Sequence, residues 1–293
     1  MIHFVYPFDA DKIAAPWSIG NHVAAGLRRA GHEVRQYDWD DRGAIQPQPG
    51  DVLLGHPHPD AGRIWRNSVC GPWAQVVAMS PWNGSDEYER NLDYIFEYAD
   101  SVVLICGEYW RKYSRTWAPK VTAVDMAINP VHLPPLERAF NPPGQRRFAF
   151  IGCTLPIKGP EYIAQVAQKY TVGHFGYGEI PGTVRHGYVD FSTAEARAQL
   201  AGYDFLIMMA DNDANPTTVI EAMSWGIIPL CRRGCGYTSP DVVVIDSSTV
   251  IDYWQSAPVD RLIDRQRLGF SLVREKYTWE IFTDKILEVM GHA

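Results

Sequence analysis

Three acidic residues in the segment MMADNDANPTTVIEAMSWG, residues 208–226, have types and spacing that suit ligand chemistry. Asp211 and Asp213 are separated by one residue in a polar turn, and Glu221 follows in an otherwise apolar helical pattern. Carboxylates placed in this way can chelate a divalent cation, accept hydrogen bonds from ligand hydroxyls, or cap a helix. The elements that hold these side chains decide which chemistry applies.

The segment predicts a helix whose first turn can bind an anion. Asn215 is a favoured N-cap residue and Pro216 suits the first helical position, which gives Thr217 and Thr218 the second and third. Backbone N–H groups in a first helical turn have no partner within the helix, and they bind phosphates well. Glu221 follows on the same face, one helical turn or about 5.4 Å further along.

This arrangement fits a nucleoside diphosphate. With the diphosphate at the helix tip, a ribose diol lies beside Glu221, and Asp213 projects toward a sugar on the far phosphate. One alternative is a metal ion held by Asp211 and Asp213, but the helix terminus already supplies positive potential. The other is a capped helix with Glu221 in solvent, which its apolar neighbours disfavour. We therefore predict a nucleotide-sugar site with no metal and no cofactor.

Short apolar runs alternate with amphipathic segments, from IHFVY near the N-terminus to DVVVID at residues 241–246. This alternation is typical of βαβ units and predicts α/β domains with parallel sheets flanked by helices. Residues 129–146 break the pattern with prolines and polar residues, and we interpret them as a linker. We predict two Rossmann-like domains facing across a cleft, at residues 1–140 and 141–277, with a terminal helix at 278–293 packing back on the first.

Composition disfavours several other classes of protein. The formal net charge of −7 argues against a nucleic-acid partner. No apolar run reaches the roughly 20 residues that span a bilayer, and the N-terminus has the pattern of a strand rather than of a signal peptide. The five cysteines are scattered, and no second pair of ligands accompanies Cys231 and Cys235 at zinc spacing. We predict a reducing, cytoplasmic location.

Several segments together resemble one known family. DANPTTVIEAMSWG is similar to the family's E-x7-E segment, with Asp213 at the first acidic position and Glu221 at the second. FIGCTLPIKGPEYI resembles the segment G-R-x-x-x-x-K-G, in which Gly152 and Lys158 match. HFGYGEI and VRHGYVD are similar to two segments that line a base pocket. The family is that of the retaining glycosyltransferases with the GT-B fold, family 4 or glycosyl transferases group 1.

The resemblance is strong over residues 99–290 and weak before them, and it implies roles for individual residues. The implied donor-binding residues are Gly20, Gly152, Lys158, Tyr188, Asp213, Asn215, Thr217, Thr218 and Glu221. In this set the glutamate holds the ribose hydroxyls, the two threonine amides and the lysine hold the diphosphate, and the aspartate contacts the sugar. Such enzymes transfer the sugar by front-face departure and attack, without a metal.

One position departs from the family pattern. The arginine of G-R-x-x-x-x-K-G is Cys153 in this chain, so one of two phosphate-binding cations is missing. Arg185, Arg232 and Arg233 are the candidates to replace it. Asp213 is also one methylene shorter than the usual glutamate, which affects the choice of sugar.

The N-terminal half offers weaker candidates. Gly20 lies in the loop and helix after the first strand, where relatives approach the diphosphate with glycines. His56 and His58 follow a strand end; we predict His56 as catalytic, in contact with the donor sugar or acceptor hydroxyl, and His58 as an acceptor contact. Trp82 and Asn83 follow another strand end and are predicted to stack on and hydrogen-bond the acceptor. Ordinary loop and core roles are the alternatives for each.

We therefore predict a glycosyltransferase that moves a sugar from a nucleotide-sugar donor to a carbohydrate or lipid-linked acceptor. The alternatives are a sugar-nucleotide epimerase of the same architecture and a non-catalytic sugar-nucleotide binder, which the cysteine at position 153 supports. The helical pattern GEYWRKYSRTW, residues 107–117, would suit peripheral contact with the inner face of the membrane. A partly buried domain helix is the alternative interpretation. The sequence predicts no oligomeric state.

Overall fold

Two parallel sheets organise the chain. The computed structural model describes residues 1–12, 15–58, 63–83, 95, 97–114 and 120–291. One compact unit consists of Met1–Asp125 with Trp279–Ala293, and the other of Met126–Thr278. Most of the helical pattern expected between residues 85 and 99, and residues 115–117 of the amphipathic pattern, lie outside the described residues.

The described strands and helices alternate along both units. The strands are β1 Ile2–Val5, β2 Val34–Tyr37, β3 Val52–Gly55, β4 Gln75–Pro81, β5 Ser101–Ile105, β6 Val121–Val124, β7 Phe148–Ile151, β8 Val172–Phe175, β9 Val184–Gly187, β10 Phe205–Met208, β11 Ile228–Cys231 and β12 Val243–Val244. The helices are α1 Trp17–Arg29, α2 Arg63–Ser68, α3 Gly107–Ser114, α4 Pro160–Ala167, α5 Ala194–Leu200, α6 Thr217–Trp225, α7 Ser248–Ser256, α8 Val259–Glu275 and α9 Trp279–Val289.

Each unit contains one sheet of six described strands, in the orders β2-β1-β3-β4-β5-β6 and β12-β11-β10-β7-β8-β9. Neighbouring strands are parallel throughout. The inner strands are short runs of Val, Leu, Ile and Phe, and β1, β3, β8, β10 and β11 are buried along their whole length. Strands that are apolar on both faces need helices on both sides, so the predicted fold of parallel sheets flanked by helices is confirmed.

The strand orders determine where each sheet has a crevice that can bind a ligand. In a doubly wound sheet, the loops at the carboxyl ends diverge where the strand order reverses, and they leave a crevice there. The first sheet reverses between β1 and β3, and the second between β10 and β7. The loop before α6, which carries the acidic residues singled out above, therefore borders the crevice of the second sheet.

The segment before the second sheet packs with that sheet. Asp204, fully buried, accepts hydrogen bonds from Arg138 Nη2 at 2.8 Å, the Asn141 backbone N–H at 2.9 Å and the Arg147 backbone N–H at 2.9 Å. A buried carboxylate needs such partners, and here they come from the proline-rich segment itself. For this reason residues 126–140 belong to the second unit, whereas the sequence analysis placed them in the first domain.

The terminal helix α9 packs on α1 within the first unit. The rings of His22 and Trp279 stack with centroids 4.7 Å apart. A Cβ added to Gly26 would lie 2.3 Å from Thr283 Oγ1, so the absence of a side chain allows the two helices to approach closely. None of the helices that the structure describes is long and apolar enough to cross a membrane.

Replacing Gly26 with Ala is expected to lower the free energy of unfolding by about 1–3 kcal/mol, because the new methyl group overpacks the contact with Thr283. The matched control is Gly43→Ala, since Gly43 is exposed and a Cβ there meets nothing within 4 Å. Denaturant unfolding measures both. The double variant Gly26→Ala/Thr283→Ala should recover part of the loss; no recovery would mean that the contact is not the cause.

Candidate functional site

An ion pair between Lys158 and Asp213 spans the crevice of the second sheet. Lys158 ends the 3-10 turn Pro156–Lys158 after β7, and its Nζ donates to Asp213 Oδ2 in the loop after β10. Gly159 makes this approach sterically feasible, because it has φ +65° and a Cβ there would lie 2.4 Å from the Met209 carbonyl oxygen. The two side chains are 21% and 15% exposed, so the pair is accessible from one side.

The turn after β11 holds the loop of Asp213 in place. The Asp213 backbone N–H donates to the Gly234 carbonyl at 2.8 Å, and a Cβ on Gly234 would lie 2.1 Å from the Asp211 carbonyl oxygen. Tyr237 Oη donates to the Pro216 carbonyl at 2.9 Å. The loop is therefore fixed before a ligand arrives, as a binding site requires.

The helix α6 begins one residue later than the sequence analysis expected. Pro216 has φ −61° and ψ 125°, so it is extended and occupies the N-cap position. Asn215 is not the N-cap: its side chain is buried, and its Oδ1 accepts a hydrogen bond from the Met126 backbone N–H at 2.5 Å. Thr217 and Thr218 thus become the first and second helical residues. Their backbone N–H groups donate to no other residue that the structure describes, which leaves them available to an anion.

Glu221 is a desolvated carboxyl group one turn into α6. The neighbouring residues Ile220 and Ala222 are fully buried, and burial raises the pKa of Glu221 from 4.5 to about 7. Its carboxylate makes no hydrogen bond or ion pair with the described part of the chain. The residue remains partly exposed, so a ligand can reach a carboxylate that lacks an internal partner.

The two aspartates of D-x-D are each paired with a cation. Asp213 pairs with Lys158, and Asp211 Oδ1 lies 2.7 Å from Arg232 Nη1. Within the described ranges, no group of three or more His, Cys, Asp or Glu side chains could hold a metal ion.

The loop after β7 is held against the neighbouring strand. Gly152 has φ +154°, donates its N–H to the Phe175 carbonyl at 2.9 Å and accepts a hydrogen bond from His174 Nε2 at 3.0 Å. Gly176 lies so close that a Cβ there would be 2.0 Å from the Gly152 carbonyl oxygen. Cys153 follows, partly exposed. Gly152 thus shapes the backbone that leads to the lysine of the ion pair.

Tyr188 is 68% exposed, and its ring stacks on that of Tyr177, which is 66% exposed, with centroids 5.2 Å apart. The two tyrosines follow β9 and β8, whose carboxyl ends lie on the same edge of the sheet as the ion pair. An exposed aromatic surface at this edge is suited to a planar group such as a base.

In the first unit, His56 lies at the carboxyl end of β3 beside the crevice of that sheet. It is 4% exposed, and its Nδ1 lies 2.9 Å from the Met79 carbonyl oxygen. Since a carbonyl only accepts, Nδ1 carries the hydrogen and Nε2 is an acceptor. Burial, followed by the charge of the neighbouring His58, lowers the pKa of His56 to about 3, so the ring is neutral near neutral pH. The ring of His58 packs edge-on against Trp39 at 4.8 Å.

Of the other residues singled out in the first unit, Trp82 and Gly20 make packing contacts. Trp82 is 1% exposed in the hydrophobic core, so its ring offers no face to an acceptor and the expected stacking is not available. Asn83 is 8% exposed. Gly20 lies in α1, where a Cβ would be 2.0 Å from the Pro7 carbonyl oxygen, and its N–H donates to the Pro16 carbonyl at 3.2 Å.

Sequence reasoning missed the residues that support the site rather than line it. Gly159, Gly234 and Tyr237 hold the two loops together through close backbone approaches and a hydrogen bond to a carbonyl. The available signal in the sequence was a glycine directly after Lys158 and another between Cys231 and Cys235. The residues that these glycines approach lie far away in the sequence, so the signal could not be interpreted.

No protein-family model and no curated protein sequence matches the chain. Similar solved structures exist, however. The lipopolysaccharide outer core galactosyltransferase WaaB in its apo form matches with a TM-score of 0.66 and 11% identity, covering 99% of each chain. The catalytic domain of starch synthase IV from Arabidopsis thaliana, bound to ADP and acarbose, matches with a TM-score of 0.65 and 10% identity, covering 99% of this chain and 98% of that one. WaaG, a glycosyltransferase involved in lipopolysaccharide biosynthesis, matches with a TM-score of 0.60 and 13% identity, covering 99% of this chain and 100% of that one.

These likenesses define the class of fold. The chain has the GT-B fold, as its two parallel sheets and strand orders already indicate. The resemblance that the sequence motifs suggested is thereby confirmed at the level of fold.

Replacing Glu221 with Gln is expected to change how stability depends on pH. Because burial raises the folded-state pKa from 4.5 to about 7, the folded wild type binds more protons than the unfolded chain between these values. Wild-type stability relative to Glu221→Gln should therefore fall as the pH rises through this window, by up to ~3 kcal/mol. Denaturant unfolding of both proteins at about pH 5 and about pH 8 measures the change. An equal difference at both pH values would show that Glu221 is not desolvated.

Proposed function

We propose that the chain is a glycosyltransferase that uses a nucleotide-sugar donor. The observation that carries the proposal is the desolvated Glu221, one turn behind the N–H groups of Thr217 and Thr218; neither its carboxylate nor these N–H groups have a partner among the described residues. Burying a carboxylate without a partner costs free energy, which a ligand that donates two hydroxyl hydrogens recovers. The vicinal hydroxyls of a ribose are such donors, and the diphosphate attached to that ribose reaches the helix tip.

The other parts of the donor are proposed to bind along the same edge of the second sheet. The diphosphate meets the α6 amides and Lys158, and the sugar contacts Asp213. The base lies against Tyr188. Gly152 keeps the backbone close to the phosphates, while Asn215 fixes the approach to the helix. In support of a nucleotide ligand, the similar structure of starch synthase IV was determined with ADP bound.

In the proposed reaction, the bond between the anomeric carbon and the diphosphate oxygen breaks while the acceptor oxygen bonds to the same face of that carbon. The acceptor proton passes to the departing diphosphate oxygen, and the anomeric configuration is retained. Charge grows on the diphosphate as the bond breaks, so preorganised donors that stabilise this charge lower the barrier. Lys158 and the α6 amides are those donors. Asp213, released from part of its ion pair, accepts from sugar hydroxyls.

We propose that the reaction needs no metal ion. The pairing of Asp211 with Arg232 and of Asp213 with Lys158 supports this, because each carboxylate already has a cationic partner. Lys158 and the positive end of α6 supply charge stabilisation that a divalent ion would otherwise provide.

The acceptor is proposed to be a carbohydrate or a lipid-linked saccharide bound by the first unit. With a pKa of about 3, His56 is not a proton donor at neutral pH. Its role is therefore proposed as that of a hydrogen-bond acceptor, through Nε2, for a hydroxyl of the donor sugar or the acceptor. His58 and Asn83 are the remaining acceptor candidates. A cytoplasmic location with peripheral contact to the membrane would suit a lipid-linked acceptor.

A panel of UDP-, GDP-, ADP- and dTDP-sugars, observed by ligand-detected NMR with and without EDTA, tests the proposal. We expect one donor to bind in the presence of EDTA. Glu221→Ala should weaken that binding by ~1.5–3 kcal/mol, as for a hydrogen bond to a charged group. The matched control is Glu195→Ala, an exposed glutamate on α5 of the same unit.

Each contrary outcome contradicts a different part of the proposal. Binding that requires a divalent ion would contradict metal independence. Equal binding by Glu221→Ala and Glu195→Ala would contradict the position of the ribose. No binding of any donor by the wild type would contradict the glycosyltransferase assignment, and a donor whose sugar is isomerised without acceptor would point to an epimerase.

A further inference from the structure

The donor site proposed above gives the diphosphate one cationic side chain, Lys158. Asp213 already neutralises this lysine. A diphosphate adds at least two further negative charges, and more charge develops as the sugar departs. If the proposed function holds, another cationic side chain facing the diphosphate adds to the stabilisation that Lys158 and the α6 amides supply. This inference rests on that function and concerns which residue supplies the charge.

The side chain of Arg232 is held in a geometry that suits the binding of an anion. Its Nη1 lies 2.7 Å from Asp211 Oδ1 and 2.9 Å from Asp211 Oδ2, and its guanidinium group lies over the Tyr162 ring, 4.4 Å from the centroid. A carboxylate at one nitrogen and a ring against one face fix the plane of the group. The Nε and Nη2 atoms form no hydrogen bond with the residues that the structure describes. These two nitrogens form the edge of a guanidinium that binds an oxyanion through two parallel hydrogen bonds.

The position of Arg232 in the fold favours this role. It directly follows β11, and its backbone N–H donates to the Met208 carbonyl at 2.9 Å, at the end of β10. The next residues, 233–235, form the turn whose carbonyl at Gly234 holds the Asp213 backbone. Tyr162 lies in the first turn of α4, which begins two residues after Lys158. Arg232 therefore contacts the loop after β10 and the helix that follows the loop of Lys158.

The other two candidate arginines lack these features. Arg185 lies on the edge strand β9, which is separated from β11 by the strands β10, β7 and β8. Its side chain is exposed and pairs with Glu179 at 2.5 Å. Arg233 is exposed, and its side chain forms no contact with the described residues that would fix its direction. Only a guanidinium whose plane is held in advance avoids the entropy cost of ordering a long side chain on the ligand.

We propose that Arg232 is the second diphosphate-binding cation of this chain and takes the place of the arginine that Cys153 replaces. Asp211 and Tyr162 are positioning residues for it. Its free edge donates to the phosphate that carries the sugar, beside Lys158, and it stabilises the charge that develops there as the sugar departs.

The test compares nucleoside diphosphates with the matching monophosphates. Affinities of UDP, GDP, ADP and dTDP, and of UMP, GMP, AMP and dTMP, are measured by calorimetry for the wild type and for Arg232→Gln. For the diphosphate that binds the wild type best, Arg232→Gln should weaken binding by about ten- to a hundredfold, as for a lost charged hydrogen bond. The matching monophosphate should lose less than about threefold, because it lacks the phosphate that Arg232 meets.

Two further variants distinguish an effect of the charge at Arg232 on diphosphate affinity from a general effect of substitution on the folded protein. Arg185→Gln removes an exposed arginine of the same unit and should leave both affinities unchanged. Asp211→Asn keeps an acceptor for Nη1 but removes a negative charge, so diphosphate affinity should rise by about two- to fivefold. Thermal unfolding of all variants confirms that each is folded at the temperature of the measurement.

The outcomes distinguish this inference from the proposed function. If the wild type binds a diphosphate, Glu221→Ala loses it and Arg232→Gln does not, Arg232 is not the second cation, while the proposed function stands. Equal losses for monophosphate and diphosphate in Arg232→Gln would also overturn the inference. If the wild type binds no nucleoside diphosphate, the proposed function and this inference both fail.

Discussion

The site depends on the contact between two loops that a parallel sheet brings together where its strand order reverses. Lys158 comes from the loop after β7 and Asp213 from the loop after β10, and their ion pair spans the crevice between these strands. Such a pair at the surface contributes little stability by itself, because solvent screens it and two side chains must be ordered. In the proposed donor site, its value lies in holding a cation and a carboxylate side by side next to the ligand. Gly159 and Gly234 make this possible, since neither position has room for a side chain.

In the proposed function, helix α6 adds the two features that select the ligand. Its first N–H groups have no partner in the part of the chain that the structure describes, and Glu221 lies one turn behind them in apolar surroundings that raise its pKa to about 7. The buried carboxylate costs stability, and the proposed ligand, an anion next to a diol, would hydrogen-bond both features. The turn after β11, which directly follows Arg232, hydrogen-bonds the loop of Asp213 through Gly234. Tyr237, just after this turn, hydrogen-bonds the start of α6 at Pro216. The segment that begins at Arg232 therefore both positions the loop of Asp213 and supplies the positive charge of Arg232.

Much of the fold could be predicted from the sequence, because its determinants are local. Apolar runs of strand length alternate with amphipathic helices, and this pattern is enough to predict parallel sheets. The helix at residues 217–225 was also predictable, but its first residue was not. Asn215 has a strong local preference for the cap, yet the distant Met126 backbone N–H takes its side chain. The unit boundary moved for the same kind of reason, since the buried Asp204 holds a proline-rich segment that looks like a linker. Trp82 likewise follows a strand as a site residue would, but it turns into the core.

The central claim is that a nucleoside diphosphate lies on the first turn of α6, and amide NMR of protein labelled with ¹⁵N-threonine tests it most directly. The signals of Thr217 and Thr218 are assigned by Thr217→Ser and Thr218→Ser, and the diphosphate with the highest affinity is titrated in. The account predicts that these two amides shift the most among the threonines, with the exposed Thr171 as an internal reference that stays in place. Saturable binding that leaves both signals unmoved would contradict the account, because the diphosphate would then lie elsewhere.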